Sequence, residues 1–484
     1  MTFKDFAKGA IAIAVAQILV GVGNFLILPI VTRTLGPHEY GIWITITVTV
    51  MLLTHFGVLG LSSAILRFIP SKINRKEISE EFFTILTFVA VLSMILGLIV
   101  MGFSKSIADE LMNDGSLSRV ITIASLLIPL SAINAVNVAF IRAIDRIKTF
   151  VILSVLSAYS QLTLILVMAN MGLMGVVSAI LLSMTLMCVL ALILIIQQVG
   201  FSRPRIDILL KNLRFGLPLA PSSIIAWVND SGDRYLVAGI LGMGAAGVYS
   251  AAWGIGSVVF QIIVPIQMVL YPTMSKMYDE GQMENVKSYL SRSLRYFLIL
   301  TIPAVVGMTV LAGPLLVALT TPAFASGAIV IPFIAVSALM AGIIEVVTVI
   351  LLLVKKTHLN LIVYIIPAII NVILVLIVAP HLGIMGAAMA STVSYLILLY
   401  LGVKVSFAHL QFTIDWSSIA KSVASSILMA IIIAFISPTT MIGILISILA
   451  GVSTYFGAMI IMKGVTREEL DFAKGALGKA NSRM

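Results

Sequence analysis

Three ionisable residues lie together inside a stretch of the chain that is otherwise apolar. Asp230, Asp233 and Arg234 belong to the run Asn229-Asp230-Ser231-Gly232-Asp233-Arg234. An ionisable group in an apolar span costs about 2.5–3.5 kcal/mol, so it usually faces a polar interior and has a use. Helical spacing predicts an ion pair between Asp230 and Arg234, which are four residues apart, and turns Asp233 about 100° away.

Two uses fit this run of polar residues. One is a neutral Asp–Arg pair that fixes the position of its helix. The other is a site where the guanidinium binds an anionic head group and a carboxylate binds a coupling cation. We favour the second, because one carboxylate suffices to neutralise Arg234 and another is left over. Asn229, Asp230, Asp233 and Arg234 are therefore predicted to bind substrate, and Asp230 and Asp233 are also candidates for ion coupling.

Further candidates lie on other apolar segments. Arg33 is either an anchor whose side chain extends to water or a guanidinium that binds phosphate through two hydrogen bonds. Asn24 aligns with Asp230 in an internal repeat and is added to the substrate-binding cavity. Glu345 has no basic neighbour in sequence. It is either a hydrogen-bond partner of another helix or an ion-coupling carboxylate.

Uncharged polar residues also recur along the apolar segments. Each is best explained by hydrogen bonds between helices. As a set they could line a hydrophilic cavity suited to sugar hydroxyls. They are Gln17, Asn134, Asn137, Gln161, Gln261, Gln267 and Asn371.

Composition places all these residues in a membrane. Of the 484 residues, 60% are hydrophobic and 10% are charged, whereas soluble domains are about 45–50% apolar and about 25% charged. Apolar runs of about 20 residues, the length that spans a bilayer, follow one another with short breaks. The net charge of +10 is attributed to basic residues beside the membrane, and no nucleic-acid partner is predicted.

The apolar runs predict an all-α membrane protein with fourteen transmembrane helices. If the N-terminus is cytoplasmic, all of the 30 Lys and Arg residues fall in cytoplasmic segments except Arg33, Lys105, Arg119 and Arg234. This bias predicts a plasma-membrane or inner-membrane protein with both termini in the cytoplasm. The inner segment 278–296 is predicted to be an amphipathic helix on the cytoplasmic face. The predicted spans are 8–33, 40–66, 82–104, 119–141, 149–169, 173–198, 214–240, 245–272, 295–317, 327–354, 359–379, 383–403, 416–436 and 440–462.

The chain also contains an internal repeat. Each copy has six spans, an even number, which predicts two parallel repeats of the kind found in many transporters. The predicted domains are an N-terminal lobe over 1–200, a C-terminal lobe over 201–408, and two extra helices with a cytoplasmic tail over 409–484. The recurring pairs are Leu35-Gly36 with Leu241-Gly242 (offset 206), Gly41 with Gly247 (206), Lys148-Thr149 with Lys356-Thr357 (208), and Gly172–Gly175 with Gly383–Gly386 (211).

Several classes of function are excluded by short loops and missing motifs. The outer loops leave no room for an external catalytic domain, and no Gly-rich loop precedes a Lys-Ser or Lys-Thr pair that would bind nucleotide phosphates. The lone Cys188 excludes an intrachain disulfide and suggests no metal cluster. We therefore predict that the protein is not an enzyme and needs neither cofactor nor metal.

Two stretches resemble the polysaccharide-transporter, or oligosaccharide flippase, family, which shares a superfamily with the multidrug and toxin extrusion carriers. They are LPIVTRTLGPHEYGIW at 28–43 and FGLPLAPSSIIAWVNDSGDRYLVAGILGMGAAGVYSAAW at 215–253. The resemblance implies a flippase that moves a polyprenyl-pyrophosphate-linked oligosaccharide from the inner to the outer leaflet. Such a protein would work by alternating access between two six-helix lobes. It would draw on an ion gradient and serve surface polysaccharide or cell-wall assembly.

By the same resemblance, Arg33 and Arg234 would meet the pyrophosphate, with Asp230 and Asp233 beside them. The expected partners are the lipid-linked oligosaccharide, the bilayer, H⁺ or Na⁺, and glycosyltransferases or a polymerase of the same pathway. The main alternative is an ion-coupled multidrug or organic-cation antiporter of the same fold. A membrane glycan polymerase or ligase is a weaker one, because it would need a large outer loop.

Overall fold

Helices dominate the part of the chain that the structure describes. A computed structural model describes residues 3–112 and 114–464, with the side chains of 3–16, 111, 268 and 357 left out. No β-strand occurs within those ranges, and the predicted all-α class is confirmed. The predicted cytoplasmic tail, which contains Arg467, Lys474, Lys479 and Arg483, lies at 465–484 and outside the described residues.

The α-helices are long because the sequence is rich in apolar residues and interrupted mainly by Gly and short polar loops. In chain order they are α1 (Phe3–Val58), α2 (Leu61–Phe68), α3 (Arg75–Gly102), α4 (Ser104–Ser106), α5 (Ser118–Ser125), α6 (Leu127–Ala143), α7 (Ile147–Met168), α8 (Gly172–Val199), α9 (Ile206–Gly216), α10 (Ala220–Leu241), α11 (Met243–Gly256), α12 (Ile263–Asp279), α13 (Met283–Val310), α14 (Ala312–Leu319), α15 (Val330–Leu353), α16 (Thr357–Phe407), α17 (Trp416–Ile436) and α18 (Met441–Ile461).

Ten helical stretches of the described chain are long and apolar enough to cross a membrane. Three of these stretches are each long enough for two spans and are broken at Gly36, Gly172 and Gly383. Helix α10 is not among the ten and carries three charged residues. Counting each broken stretch twice and adding α10 is consistent with the fourteen predicted helices.

The repeat is visible in the backbone at four of its glycines. Gly36 (φ 68°, ψ 178°) and Gly242 (φ 87°, ψ 169°) share one conformation. Gly172 (φ 68°, ψ −153°) and Gly383 (φ 61°, ψ −145°) share another. A positive φ with an extended ψ is open to glycine and very costly for other residues. Each of these helix breaks therefore occurs in both copies of the repeat, and in both copies a glycine forms it.

The third recurring motif aligns differently in the structure. The positive-φ residue before α7 is Asp145 (φ 57°), and the one before α16 is Lys355 (φ 58°). Their offset is 210 (355 minus 145), whereas the Lys-Thr pairs predicted 208. The two turns are structurally equivalent. The Lys-Thr pair of the second copy lies two residues closer to its turn than the pair of the first copy.

Two further repeat-related glycines bring helix backbones into close contact. A Cβ at Gly41 would overlap the carbonyl oxygen of Met243, and a Cβ at Gly247 would overlap the carbonyl oxygen of Pro37. Pro37 and Met243 are themselves separated by the repeat offset of 206. The contact is thus reciprocal, and α1 meets α11 through equivalent atoms of the two copies. Glycine at these two positions lets the helix backbones approach this closely.

Contacts divide the chain into two compact units. Unit 1 comprises Met1–Gly254, Leu319–Gly327 and Tyr364–Ala390, and one of its cores surrounds the buried rings of Phe82 and Phe140. Unit 2 comprises Ile255–Ala318, Ala328–Val363 and Ser391–Met484, and one of its cores surrounds Phe297. The division into lobes 1–200 and 201–408 and a segment 409–484 stays a prediction.

The two C-terminal helices α17 and α18 pack against α13 within unit 2. Their contact is polar as well as apolar. The buried Tyr455 on α18 donates a hydrogen bond to the backbone oxygen of Ile299 (2.6 Å) and shares another with the hydroxyl of Ser422 (2.8 Å). These bonds satisfy a tyrosine hydroxyl that would otherwise be buried without a partner.

The predicted amphipathic helix over 278–296 is replaced by a different arrangement. Helix α12 ends at Asp279, and α13 runs without interruption from Met283 to Val310 with Leu290 and Leu294 buried. The basic residues of this segment therefore begin a long apolar helix. The short amphipathic helix is instead α9, which directly precedes α10.

Asp415 caps the start of α17 and gives a testable pH dependence. Its carboxylate accepts hydrogen bonds from the Ser418 backbone N–H (3.0 Å) and hydroxyl (2.6 Å) and lies 3.3 Å from Arg295 Nε. The Ser418 hydroxyl, followed by its backbone N–H and by Arg295, lowers the pKa of Asp415 below its ordinary value. A group with a lowered pKa stabilises the fold above its unfolded pKa and ceases to do so as the pH falls through its folded pKa.

We therefore expect Asp415→Ala to cost about 1 kcal/mol at neutral pH, the usual value of a helix cap. The difference from wild type should shrink as the pH falls below about 4, the pKa of an unfolded aspartate, because the unfolded carboxylate then takes up a proton that the native one, with its lowered pKa, does not yet bind. Thermal midpoints of the two purified proteins across this range measure the effect. If the two thermal midpoints differ by the same amount at every pH, the stability lost in Asp415→Ala does not come from the charge of the Asp415 cap.

Candidate functional site

Helix α10 holds the charged run, and its sequence explains where it begins. Pro218 lies in a short 3₁₀ turn and Pro221 in the first turn of α10, where proline needs no hydrogen-bond donor. These prolines therefore start the helix rather than bend it. The indole of Trp227 donates a hydrogen bond to the backbone oxygen of Val48 (3.0 Å), which fixes α10 against α1.

The guanidinium of Arg234 is held on several sides. Nη2 donates to the Ser231 hydroxyl (2.9 Å) and to the backbone carbonyl of Asp230. The group stacks over the ring of Trp253, with Cζ 4.0 Å from the ring centroid. Such a cation–π contact is worth about 2 kcal/mol when it is desolvated. Arg234 is therefore oriented before any ligand arrives.

Asp233, and not Asp230, forms the ion pair with Arg234. Its Oδ1 lies 3.9 Å from Arg234 Nε and accepts the Arg234 backbone N–H (2.7 Å), while Oδ2 accepts the hydroxyl of Tyr249 (2.6 Å). The expected i, i+4 carboxylate pair is corrected here, because Arg234 reaches Asp230 only through the main chain. Asp233 is buried and Asp230 is exposed, so the two acids have different environments.

Three buried donors on α10 and α11, the helices that carry this cluster, have no hydrogen-bond partner within the described residues. They are Asn229 Nδ2, Arg234 Nε and the hydroxyl of Ser250. Nearly all buried polar groups in native proteins are paired, and each exception calls for an explanation. Donors without partners on the helices that hold a guanidinium are groups that an acceptor-rich ligand, such as a phosphate, would use.

Arg33 lies at a different point of unit 1. The residue is exposed, and its Nε donates to the backbone oxygen of Thr320 (3.1 Å). Both expected uses of Arg33, anchoring and phosphate binding, stay predictions.

Asn24 lines a cavity of about 240 Å³ inside unit 1. The amides of Asn134 and Gln161 and the hydroxyl groups of Ser154 and Ser157 line the same cavity. The structure thus brings together three of the uncharged polar residues singled out by sequence, on α1, α6 and α7. Asn24 was expected beside the charged run on α10, and it lies in this separate amide-lined cavity.

Glu345 on α15 belongs to unit 2 and contacts α12. Gln267 Nε2 donates to Glu345 Oε2 (2.6 Å). This hydrogen bond between neighbouring helices is the simpler of the two expected roles. It does not exclude ion coupling, since a carboxylate can exchange a proton while it keeps an amide neighbour.

We expect Glu345→Gln to separate these two roles. The new amide offers Gln267 a similar acceptor oxygen, so packing is retained while the titratable group is lost. If Glu345 carries the coupling proton, transport by the variant loses its dependence on a pH gradient. Transport rates in proteoliposomes with and without the gradient measure this, and Gln267→Leu serves as the control that breaks the contact and keeps the acid. An unchanged gradient dependence in Glu345→Gln assigns Glu345 a structural role.

Tyr249 and Trp253 are site residues that sequence reasoning missed. Both lie on α11, four residues apart, and therefore share a helix face. That spacing of two aromatic residues directly after a charged helix was the available signal. Together with Ser231 they complete the shell that holds Asp233 and Arg234 in place.

Comparison with solved structures shows that this fold is shared with known transporters. The lipid II flippase MurJ, in an inward closed conformation, matches with a TM-score of 0.76 and 17% identity, over 95% of this chain and all of that one. An inward-facing MATE family multidrug resistance transporter of the MOP superfamily matches with a TM-score of 0.65 and 16% identity, over 82% of this chain and 97% of that one. At these identities the likeness concerns the fold alone.

Sequence comparison adds a curated relative and a family. The lipopolysaccharide biosynthesis protein WzxC of Escherichia coli (strain K12) is 34% identical over 102 residues, which is 21% of this chain and 20% of that protein's length. A family model described as a polysaccharide biosynthesis protein matches residues 30–329. The chain is therefore a multi-pass membrane protein that belongs to the polysaccharide biosynthesis protein family and has the fold of MurJ and MATE transporters.

Proposed function

We propose that the protein moves a polyprenyl-pyrophosphate-linked oligosaccharide from the inner to the outer leaflet of the plasma or inner membrane. The step would proceed by alternating access and serve the assembly of a surface polysaccharide or cell wall. Family membership supports a role in polysaccharide biosynthesis. Two similar proteins, a lipid II flippase and a lipopolysaccharide biosynthesis protein, support a lipid-linked substrate.

The observation that carries this proposal is the oriented guanidinium of Arg234, together with buried donors of α10 and α11 that have no partner among the described residues. A pyrophosphate offers several acceptor oxygens, and Arg234 Nε, Asn229 Nδ2 and the Ser250 hydroxyl are donors without partners. Hydrogen bonds between a guanidinium and phosphate are about twice as strong as neutral ones. The pyrophosphate would replace the long contact from Arg234 Nε to Asp233 with a shorter one to its own oxygen.

Charge gives this site a reason to need a cation. Asp230, Asp233 and Arg234 sum to −1 when both acids are ionised. A pyrophosphate entering such a site is repelled unless a positive ion enters too. We place H⁺ or Na⁺ at Asp230, the exposed acid, so that the ion and the anionic substrate favour each other's binding. Such mutual dependence is reciprocal by thermodynamic linkage.

The amide-lined cavity supports binding of the glycan. Asn24, Asn134 and Gln161 offer both donors and acceptors, and no hydrogen bond to protein is recorded for them among the described residues. Sugar hydroxyls are both donors and acceptors, so uncharged amides suit them better than charged groups. The cavity's 240 Å³ is below the usual range of about 300–1,000 Å³ for drug-sized ligands. It therefore suits a single sugar unit.

An ion-coupled organic-cation antiporter is the second candidate. The exposed carboxylate of Asp230 favours it, since a cation needs an accessible acid more than a guanidinium. The fold is compatible, because a MATE multidrug transporter shares it. A glycan polymerase or ligase has no such support.

For either transporter we place both termini in the cytoplasm. For the flippase we add glycosyltransferases or a polymerase of the same pathway as partners.

Deletion of the gene separates the two transporter functions. The flippase proposal predicts that the lipid-linked oligosaccharide accumulates in the inner leaflet and that surface glycan is lost, while susceptibility to organic cations stays unchanged. Wild-type protein supplied in trans restores the glycan. Increased susceptibility with normal glycan would support the antiporter and contradict the flippase.

A further inference from the structure

Helix α9 presents three distinct faces around its axis. At 100° per residue, Ile206, Leu210 and Leu217 fall on one stripe, where Leu217 is the first residue after the helix. Their exposed fractions are 76%, 54% and 53%. Lys211 and Arg214 fall on the flank beside this stripe. A short helix with an exposed apolar stripe next to a basic flank is typical of helices that lie in a membrane interface.

The third face ties α9 firmly to the rest of unit 1. The buried amide of Asn212 donates to Glu81 Oε1 (2.9 Å), and Glu81 is itself buried and lies 2.5 Å from Lys72 Nζ. At the end of the helix, Gly216 packs against the backbone of Leu59 and Gly60. These contacts fix the orientation of α9, so that the apolar stripe stays turned outward.

The basic flank forms an open groove of about 600 Å³ lined by Asp207, Leu210, Lys211, Arg214 and Phe215. Lys211 and Arg214 are both exposed, and no acidic partner is recorded for either among the described residues. Lys211 Nζ lies 4.6 Å above the ring of Phe68, which positions the ammonium without neutralising it.

The acid in this groove is already neutralised. Asp207 pairs with Arg205 at 2.8 Å, and this partner lowers the pKa of Asp207 below its ordinary value. Arg205 also reaches Glu80 (3.3 Å). With Arg205, Lys211 and Arg214 set against Asp207 and Glu80, a net charge of +1 remains beside an apolar stripe on a fixed helix.

We propose that α9 is an interfacial helix that binds the phosphate of an anionic phospholipid in the groove of Lys211 and Arg214. Ile206, Leu210 and Leu217 lie among the acyl chains of the same leaflet. The charge of the groove and the apolar stripe together select a phospholipid, since a free phosphate would use only the groove. The helix lies on the side that the basic residues predict to be cytoplasmic, where anionic lipids attract juxtamembrane Lys and Arg by about 1 kcal/mol each.

The test uses the full-length protein and phosphatidylglycerol as the anionic lipid. Native mass spectrometry of the detergent-solubilised protein gives the number and affinity of bound lipids, with phosphatidylcholine as the zwitterionic comparison. We expect Lys211→Gln/Arg214→Gln to weaken phosphatidylglycerol binding at this site on the order of tenfold. Phosphatidylcholine binding should be unchanged, and the wild-type preference should fall at high salt.

Two further variants keep the result interpretable. Lys276→Gln/Lys287→Gln removes the same charge from exposed residues that have acidic neighbours, and it should leave the site intact. Lys211→Arg/Arg214→Lys keeps the charge and should keep the preference, which assigns the loss to charge and not to the identity of the side chains. The proposal is overturned if both charge-removing variants lose phosphatidylglycerol equally, if neither does, or if wild type shows no preference over phosphatidylcholine.

Discussion

Replacing Gly247 with alanine is expected to cost the protein about 3 kcal/mol of stability, at the upper end of the usual range for overpacking. The same change at Gly244, three residues earlier in α11, is expected to cost nothing. A Cβ at Gly247 would overlap the carbonyl oxygen of Pro37, whereas one at Gly244 meets no atom within 4 Å. Backbone atoms of two packed helices cannot yield as a flexible side chain would. The helices must separate, and neighbouring contacts are lost with them.

The two glycine variants form a matched pair for this prediction. Alanine favours a helix over glycine by about 1 kcal/mol, so Gly244→Ala should be as stable as wild type or slightly more so. Gly41→Ala, the repeat-related partner, should behave like Gly247→Ala because the contact is reciprocal. Thermal midpoints and the yield of monodisperse protein measure all three. Equal stability of Gly247→Ala and Gly244→Ala would show that α1 and α11 do not meet as described.

Replacing Arg234 with alanine is expected to lower the translocation rate at least about 30-fold, with the protein still inserted in the membrane. Removing one member of a desolvated charge pair costs about 2–5 kcal/mol, and the substrate would lose its guanidinium as well. Arg234→Lys should recover part of the rate, because an ammonium keeps the charge without the forked geometry. Arg292→Ala removes an exposed cation elsewhere and serves as the control.

Asp230→Asn supplies the contrasting variant for the same site. The acids and the guanidinium would then sum to zero, so the pyrophosphate no longer needs an accompanying cation. Binding of substrate should persist while dependence on the ion gradient is lost. Rates measured in proteoliposomes with and without the gradient test this. Normal rates in Arg234→Ala, or unchanged gradient dependence in Asp230→Asn, would remove the charged cluster from the mechanism.

The fold class and the repeat could be predicted because both depend on local patterns. Apolar runs fix the helices, and glycine marks the breaks between them at Gly36, Gly172, Gly242 and Gly383. The repeat also marks the reciprocal contact of α1 and α11. Gly41 and Gly247, which form that contact, are separated by 206 residues, as are Gly36 and Gly242. The Lys-Thr pairs gave a repeat offset that is two residues too short. The reason is that the turn requires a residue with a positive φ and does not require those two side chains.

The site was predicted less completely because its contacts cross between helices. Spacing along α10 could nominate Asp230 and Arg234 as a pair, but Tyr249 and Trp253 on α11 decide which acid the guanidinium meets. The repeat alignment paired Asn24 with Asp230, but alignment gives equivalent positions and not proximity, and Asn24 lines a cavity together with Asn134 and Gln161. Helix α9 was not predicted, because its basic residues assigned most of it to the cytoplasmic segment before the span predicted at 214–240.

The most direct test of the proposed function is translocation by the purified protein. Proteoliposomes carry a polyprenyl-pyrophosphate-linked oligosaccharide, and a glycan-modifying enzyme added outside reports which leaflet exposes the sugar. With an ion gradient, wild-type protein should make the inner-leaflet pool accessible, and Arg234→Ala protein at equal density should not. Accessibility equal to that of protein-free liposomes, or equal in wild type and Arg234→Ala, would contradict a flippase that works through this charged cluster.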